Sequence, residues 1–249
     1  MRILVLSAFE DELRVIQSQC DHLQETMISK CRCWIKHTAE YSLLLSLSGV
    51  GTSAAAITTT ILCEHFKPDL IVFCGVAGGM RFGQRIGDLV LADRIIDADL
   101  MQLPDILQDT PYRAALIDPH TLACVDYHYS VDSALLRACM PYVDEIGSIV
   151  TSNLFPTPKH MYPTLKALDC RAIEMESSGI FKAAQYYATP VLTIRAISNL
   201  ISEVGDDLGT PLDALSVCAT RLADFFTQIL PVIIQLSQFK FEKEAESIA

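Results

Sequence analysis

The chain has 249 residues, 51% of them hydrophobic, with 19 Lys and Arg against 30 Asp and Glu and a formal charge of −11. That length buries a large core in one domain or two small ones, and the acidic balance argues against a nucleic acid as partner, because phosphate backbones are met by clustered Lys and Arg. Nine cysteines, an odd count with no repeated pair spacing, read as reduced, buried and cytoplasmic rather than as a disulfide framework or zinc site.

Arg2-Ile3-Leu4-Val5-Leu6 opens the chain as a strand over 2–7, not as a signal peptide. Glu10-Asp11-Glu12 then starts a helix over 10–20, where acids complement the macrodipole. Runs 31–37 and 41–47 predict a hairpin turning at His37 to Tyr41. Tyr41 to Cys63 carries no charge across 23 positions, enough to span a bilayer, yet its Ser, Thr and Gly content predicts strand, turn and buried helix 53–66 instead. No membrane partner is expected. Gly49-Val50-Gly51-Thr52-Ser53-Ala54, with Asp69 twenty residues on, imitates a dinucleotide fingerprint. The strand before it is a hairpin arm, not the first strand of a βαβ unit, so no nicotinamide cofactor is implied.

Strand 69–74 leads into Gly75-Val76-Ala77-Gly78-Gly79, either a turn needing positive φ or a place where backbone approaches a ligand. Strands follow at 88–92, 147–151 and 190–195, with helices at 131–142, 176–187 and 211–238, the last interrupted near Pro231. Residues 100–130, with Pro104, Pro111 and Pro119, read as a long functional loop or lid. The charged, small residues after Lys240 read as a disordered tail, giving one domain over 1–240 and a tail over 241–249. Strands alternating with helices predict an α/β fold: a mixed, mostly parallel sheet with helices on both faces. Six scattered histidines offer no metal spacing, and neither a Ser-His-Asp elbow nor a phosphate loop is visible.

Glu174-Met175-Glu176 places two carboxylates in an apolar stretch just before a helix. Buried carboxylates need partners, so the pair is either an ion-pair anchor or a ligand for something rich in hydroxyls. Taken with Ala8 to Glu12, Ser48 to Gly51, Lys67-Pro68-Asp69, Gly75 to Gly79, Gly87-Asp88 and Arg195 to Ser198, the chain resembles the nucleoside phosphorylase/nucleosidase superfamily, in its methylthioadenosine/S-adenosylhomocysteine nucleosidase branch. The resemblance implies a single α/β/α sandwich, a homodimer, a small-molecule nucleoside substrate, no cofactor, no metal, and cleavage of a purine–ribose bond. It implies that Glu12 activates water and that Glu176 holds the ribose hydroxyls, with Met175 against the sugar and Glu174 beside it. It further implies Phe155 stacked on the base and a 5′ pocket lined by Phe9 and Val50. Val76, Ala77, Gly78 and Ser198 complete the expected lining.

Three departures from that branch point elsewhere. Asn199 stands where its members have an aspartate that protonates adenine. An amide cannot deliver a proton, but it donates and accepts one hydrogen bond each, which suits a 6-oxopurine. Pro156 has no N–H to offer the base, and Val76 replaces a serine. Ile197-Ser198-Asn199 is similar to futalosine hydrolases, so the leading expectation is hydrolysis of futalosine or its 6-amino analogue, with Arg81, Arg85 or Arg113 meeting the 5′ carboxylate. The alternatives are a methylthioadenosine/S-adenosylhomocysteine nucleosidase and a non-catalytic nucleoside-binding protein.

Overall fold

Short β-branched and leucine-rich runs, broken by Gly and polar clusters, form ten strands. The computed structural model describes residues 1–119 and 126–248, those after 236 as backbone alone. The strands are β1 (Arg2–Ser7), β2 (Gln24–Ile28), β3 (Cys31–His37), β4 (Ser42–Leu47), β5 (Leu70–Gly79), β6 (Leu89–Asp97), β7 (His128–Ser130), β8 (Glu145–Thr151), β9 (Cys170–Glu174) and β10 (Val191–Leu200). The helices are α1 (Glu10–Ser18), α2 (Thr52–Phe66), α3 (Leu103–Leu107), α4 (Ser133–Cys139), α5 (Tyr162–Ala167), α6 (Ser177–Tyr186) and α7 (Ala214–Ile248).

The sheet is mixed. β1 lies parallel between β4 and β5, and β4, β3 and β2 form an antiparallel meander at one edge. β5 is long enough to do more. Over Ile71 to Gly79 it pairs in parallel with β10, and its last two glycines pair antiparallel with Ala172 and Ile173 of β9. β9, β8, β6 and β10 continue from strand to strand and return to β5, so five strands close into a ring. Ile71, Val72, Phe73 and Cys74 of β5 and Leu192, Ile194, Ala196 and Ile197 of β10 are fully buried at its heart.

Some expectations change at this level. Gly75 to Gly79 is not a turn after the strand but the second half of β5 itself. The edge strand β2, the three-residue β7 and the five-residue β9 were not expected; each is short and only partly apolar. Pro231 does not interrupt α7, whose backbone runs as helix from Ala214 to Ile248. The stretch Ala214–Leu236 is long and apolar enough to cross a membrane by length and composition. Here its Phe225, Phe226 and Ile229 are buried in the core. Residues 100–119 carry α3 and a 3-10 turn at Arg113–Leu116, residues 128–130 form β7, and residues 120–125 of the expected lid lie outside the described residues.

Candidate active site

Glu12 sits in the first turn of α1, directly after β1, and is buried. Its Oε2 accepts the Ala8 N–H at 2.7 Å and the Phe9 N–H at 3.4 Å, reaching back over the helix start. Its Oε1 accepts the Val76 N–H of β5 at 2.7 Å. Three backbone donors thus fix the carboxylate just past the carboxyl end of β1 and beside the second half of the neighbouring parallel strand β5. Burial pushes its pKa up, against the opposing pull of Arg195 and the three N–H groups.

Arg195 of β10 is fully buried between the acids. Its Nη2 pairs with Glu174 and lies 3.5 Å from Glu176, and its guanidinium stacks 3.8 Å from the Phe73 ring centroid. Among the described residues its Nε and Nη1 have no hydrogen-bond partner. A buried guanidinium with carboxylates around it is strongly bound in place. Gly75 makes the room, since a Cβ there would stand 1.9 Å from Nη1 and 2.8 Å from Glu12 Oε1.

Glu174 and Glu176 divide the two readings left open by the sequence. Glu174 accepts from Thr151 Oγ1, from the N–H groups of Glu176 and Ser177, and from Arg195. It anchors the start of α6, and its bonds all go to protein. Glu176 has fewer partners: Gly51 N–H donates to Oε1 at 3.1 Å and Met175 N–H to Oε2 at 3.4 Å. Burial, then the neighbouring Glu174 charge, pushes Glu176 up to about 7 in spite of Arg195. Gly51 adopts φ +88°, which lets its N–H turn to this carboxylate. The glycine loop therefore serves Glu176. Asp69, its supposed ribose partner in the dinucleotide pattern, instead accepts Arg2 N–H at 2.6 Å at the other end of the sheet.

A cavity of about 370 Å³ opens above these groups. Glu12, Glu176 and Asn199 line it, as do Phe9, Val50, Val76, Ala77, Gly78, Phe155, Pro156, Glu174, Met175 and Ser198. The structure brings all thirteen together. Phe155 and Pro156, joined by a cis peptide, lie on a flap over 152–157. Asn153 Oδ1 accepts from Thr52 N–H and hydroxyl, and its Nδ2 donates to Asp99, tying the flap to α2 and to the end of β6. Arg81, Arg85 and Arg113 do not line the cavity; Arg81 and Arg85 face Glu145 and Asp88. Among the described residues no cluster of His, Cys, Asp and Glu could hold a metal ion.

Sequence reasoning assigned no role to several lining residues. Tyr162, Ile201, Gly205, Asp207, Thr210 and Leu215 close the cavity beyond Asn199. They come from α5, the segment after β10 and the start of α7, where no recognisable motif flags them. Asn199 also differs from expectation. Its Oδ1 accepts from Ser198 Oγ at 3.1 Å and its Nδ2 donates to Asp207 Oδ1 at 2.9 Å. The amide thus meets protein at both ends and keeps one N–H for a ligand.

Buried acids at the carboxyl ends of strands, opening onto a partly apolar cavity, define an α/β enzyme acting on a small molecule. The chain belongs to the phosphorylase superfamily, whose model matches residues 2–231. It is 28% identical over 217 residues to a 5′-methylthioadenosine/S-adenosylhomocysteine nucleosidase of Listeria welshimeri, covering 82% of this chain and 88% of that one. It is 27% identical over 252 residues to the nucleosidase of that description from Geobacillus kaustophilus, covering 94% and 99%. Its fold matches a Campylobacter jejuni 5′-methylthioadenosine/S-adenosylhomocysteine nucleosidase with TM-score 0.75 at 17% identity, over 92% of this chain and 98% of that one. A Helicobacter pylori structure described as a futalosine hydrolase mutant matches with TM-score 0.74 at 18% identity, over 93% and 99%.

Proposed function

We propose that this protein hydrolyses the N-glycosidic bond of a 5′-modified purine nucleoside. The observation that carries the reading is the meeting of Glu12 and Glu176 in one cavity, each held by backbone N–H groups beside the same guanidinium. A purine leaves ribose through a sugar cation, which an ionised Glu176 at the ribose hydroxyls stabilises. Glu12 takes a proton from the attacking water, and the upward push on its pKa brings it closer to the pH at which a general base is most effective. The fully buried Arg195 guanidinium beside Glu12 opposes that push and keeps the carboxylate form available. Phosphate is a poor alternative nucleophile here, since the one arginine at the site is already matched with two glutamates.

In this reading the base stacks on Phe155 against the backbone of Val76 to Gly78, and the 5′ substituent lies toward Phe9 and Val50. We take the substrate to be of the futalosine type. Asn199, which holds no transferable proton and keeps an N–H for the base, and Pro156, which has no N–H to offer it, support that choice. A second reading, a methylthioadenosine/S-adenosylhomocysteine nucleosidase, is favoured by the names of the curated relatives. Purine release from futalosine, aminodeoxyfutalosine and methylthioadenosine decides between them. A clear preference for methylthioadenosine rejects the futalosine reading and leaves the nucleosidase reading standing.

The active unit in this proposal is a homodimer. Val50, Leu154 and Phe155 are exposed at the cavity mouth of one protomer, and Ile57, Ile106 and Tyr112 are exposed on α2, on α3 and just before the 3-10 turn. Large exposed apolar groups of this kind mark interaction surfaces.

A further inference from the structure

We propose that Asp207 is the proton donor to the departing purine, supplying what Asn199 cannot. The inference rests on the nucleoside-hydrolase reading above. A purine anion is a poor leaving group, so the imidazole ring must gain a proton as the bond to C1′ breaks. Asn199 lies on the base side of the cavity, next to Ser198 and opposite Gly78 in the sheet, and its amide holds no transferable proton.

Asp207 is built into that same wall. After β10 the chain doubles back in a tight turn. Ile201 and Asp207 form an antiparallel bridge, Leu208 N–H donates to Leu200 C=O at 2.9 Å, and Ser202 N–H donates to Asp206 C=O at 2.8 Å. Gly205 sits at the turn with φ +86°, and a Cβ there would stand 2.4 Å from the Tyr162 ring, so the turn packs flat on α5. Lys159 pairs with Asp206 and fastens the turn from the flap side. The result sets Asp207 opposite Asn199, eight residues earlier in the chain.

The hydrogen bonds then orient both side chains. Asn199 Nδ2 and Gly209 N–H both donate to Asp207 Oδ1, at 2.9 and 3.0 Å. Oδ2 has no hydrogen bond among the described residues, and it is the oxygen free to carry a proton to the base. The other acids lining the cavity are committed elsewhere. Glu12 and Glu176 belong to the sugar side, and Glu174 is held by Arg195 and the start of α6. Among the described residues Asp207 is the only carboxyl on the base side.

The step balances. A proton taken from bulk water onto Asp207 Oδ2 passes to N7 while the C1′–N9 electron pair moves into the imidazole ring. The water oxygen bonds to C1′, and the water's proton passes to Glu12. The purine leaves neutral, Asp207 is again a carboxylate, and Glu12 returns its proton to bulk water. Asn199, held by Asp207, donates its remaining N–H to the base.

The test compares wild type, Asp207→Asn and the double variant Asp207→Asn/Asn199→Asp on two substrates. One is the purine nucleoside that the wild type cleaves best. The other is 4-nitrophenyl β-D-riboside, whose leaving group departs without a proton. Asp207→Asn should lower kcat on the purine nucleoside by about 100-fold, with a far smaller loss on the nitrophenyl riboside. The ratio, taken on one preparation, is insensitive to the fraction folded. The double variant should recover most of the purine activity, and this rescue decides alone if the nitrophenyl riboside is cleaved too slowly. An unchanged ratio, or no rescue, overturns the role of Asp207. If the wild type releases no purine from any nucleoside, the nucleosidase reading itself falls.

Discussion

A methyl group at Gly75 would stand 1.9 Å from a guanidinium nitrogen and 2.8 Å from a carboxylate oxygen. Gly75→Ala therefore has to displace Arg195 or Glu12, and the loss is expected at about 3 kcal/mol, the upper end for overpacking, measured by urea denaturation. Glu176 carries the clearest pH signature. Folding raises its carboxyl from 4.5 to about 7, mainly by burial, so the folded state holds the proton more tightly than the unfolded chain. Its contribution to stability is full below pH 4.5 and is lost as pH rises through about 7. Nucleoside binding runs the other way, because the ribose hydroxyls need the ionised acceptor, so KM rises as pH falls below about 7. Glu176→Gln should remove both trends and lower kcat/KM by roughly 100-fold, the worth of two charge-assisted hydrogen bonds. A pH series of melts and KM values checks this, and an unaltered KM profile in the variant counts against the ribose contact. Glu12, inside the acidic run Glu10-Asp11-Glu12, was singled out only by the family resemblance, whereas Glu174 and Glu176 were legible as carboxylates in an apolar stretch. Their division of labour was not, since it depends on Gly51 and Thr151 arriving from distant elements.

At the level of elements, the site depends on how closely α2 and α6 approach. A Cβ on Gly179 would lie 2.2 Å from the Thr52 carbonyl oxygen, in backbone that has nowhere to move. Gly179→Ala should push the helices apart, cost about 3 kcal/mol, and weaken nucleoside binding, because Thr52 also holds Asn153 of the flap. Asn153→Ala, which releases the flap without touching the helix contact, should raise KM with little change in melting temperature; an equal fall in kcat and no change in KM would contradict the flap's part in binding. Elements with strong local patterns were readable: β1, β5 and β10 as buried runs, α1 and α6 as helices with acids at their starts. β9 was not, because Cys170 to Glu174 is only five residues long and includes two charged groups, and its place comes from pairing with Gly78 and Gly79. The glycine run was ambiguous for a similar reason. Glycine permits both a turn and close approach, and only the position of Arg195 across the sheet shows which one applies here.

For the whole molecule, the exposed apolar residues around the cavity mouth predict a dimer near twice 27.5 kDa by light scattering. Tyr112→Glu, which puts a charge at one of the exposed apolar groups outside the cavity, should yield monomers with lower kcat/KM; monomers in the wild type would contradict the dimer. The closing of five strands into a ring could not be foreseen, since a long β5 pairs with three neighbours over different lengths. The account's central claim is that Glu12 and Glu176 act on one nucleoside with water as the nucleophile. Its most direct test is turnover in phosphate buffer made with ¹⁸O-labelled water, with mass analysis of the sugar product. The account predicts free sugar labelled at C1 and a free purine, both abolished by Glu12→Gln. A sugar 1-phosphate, or undiminished turnover in Glu12→Gln, would contradict it.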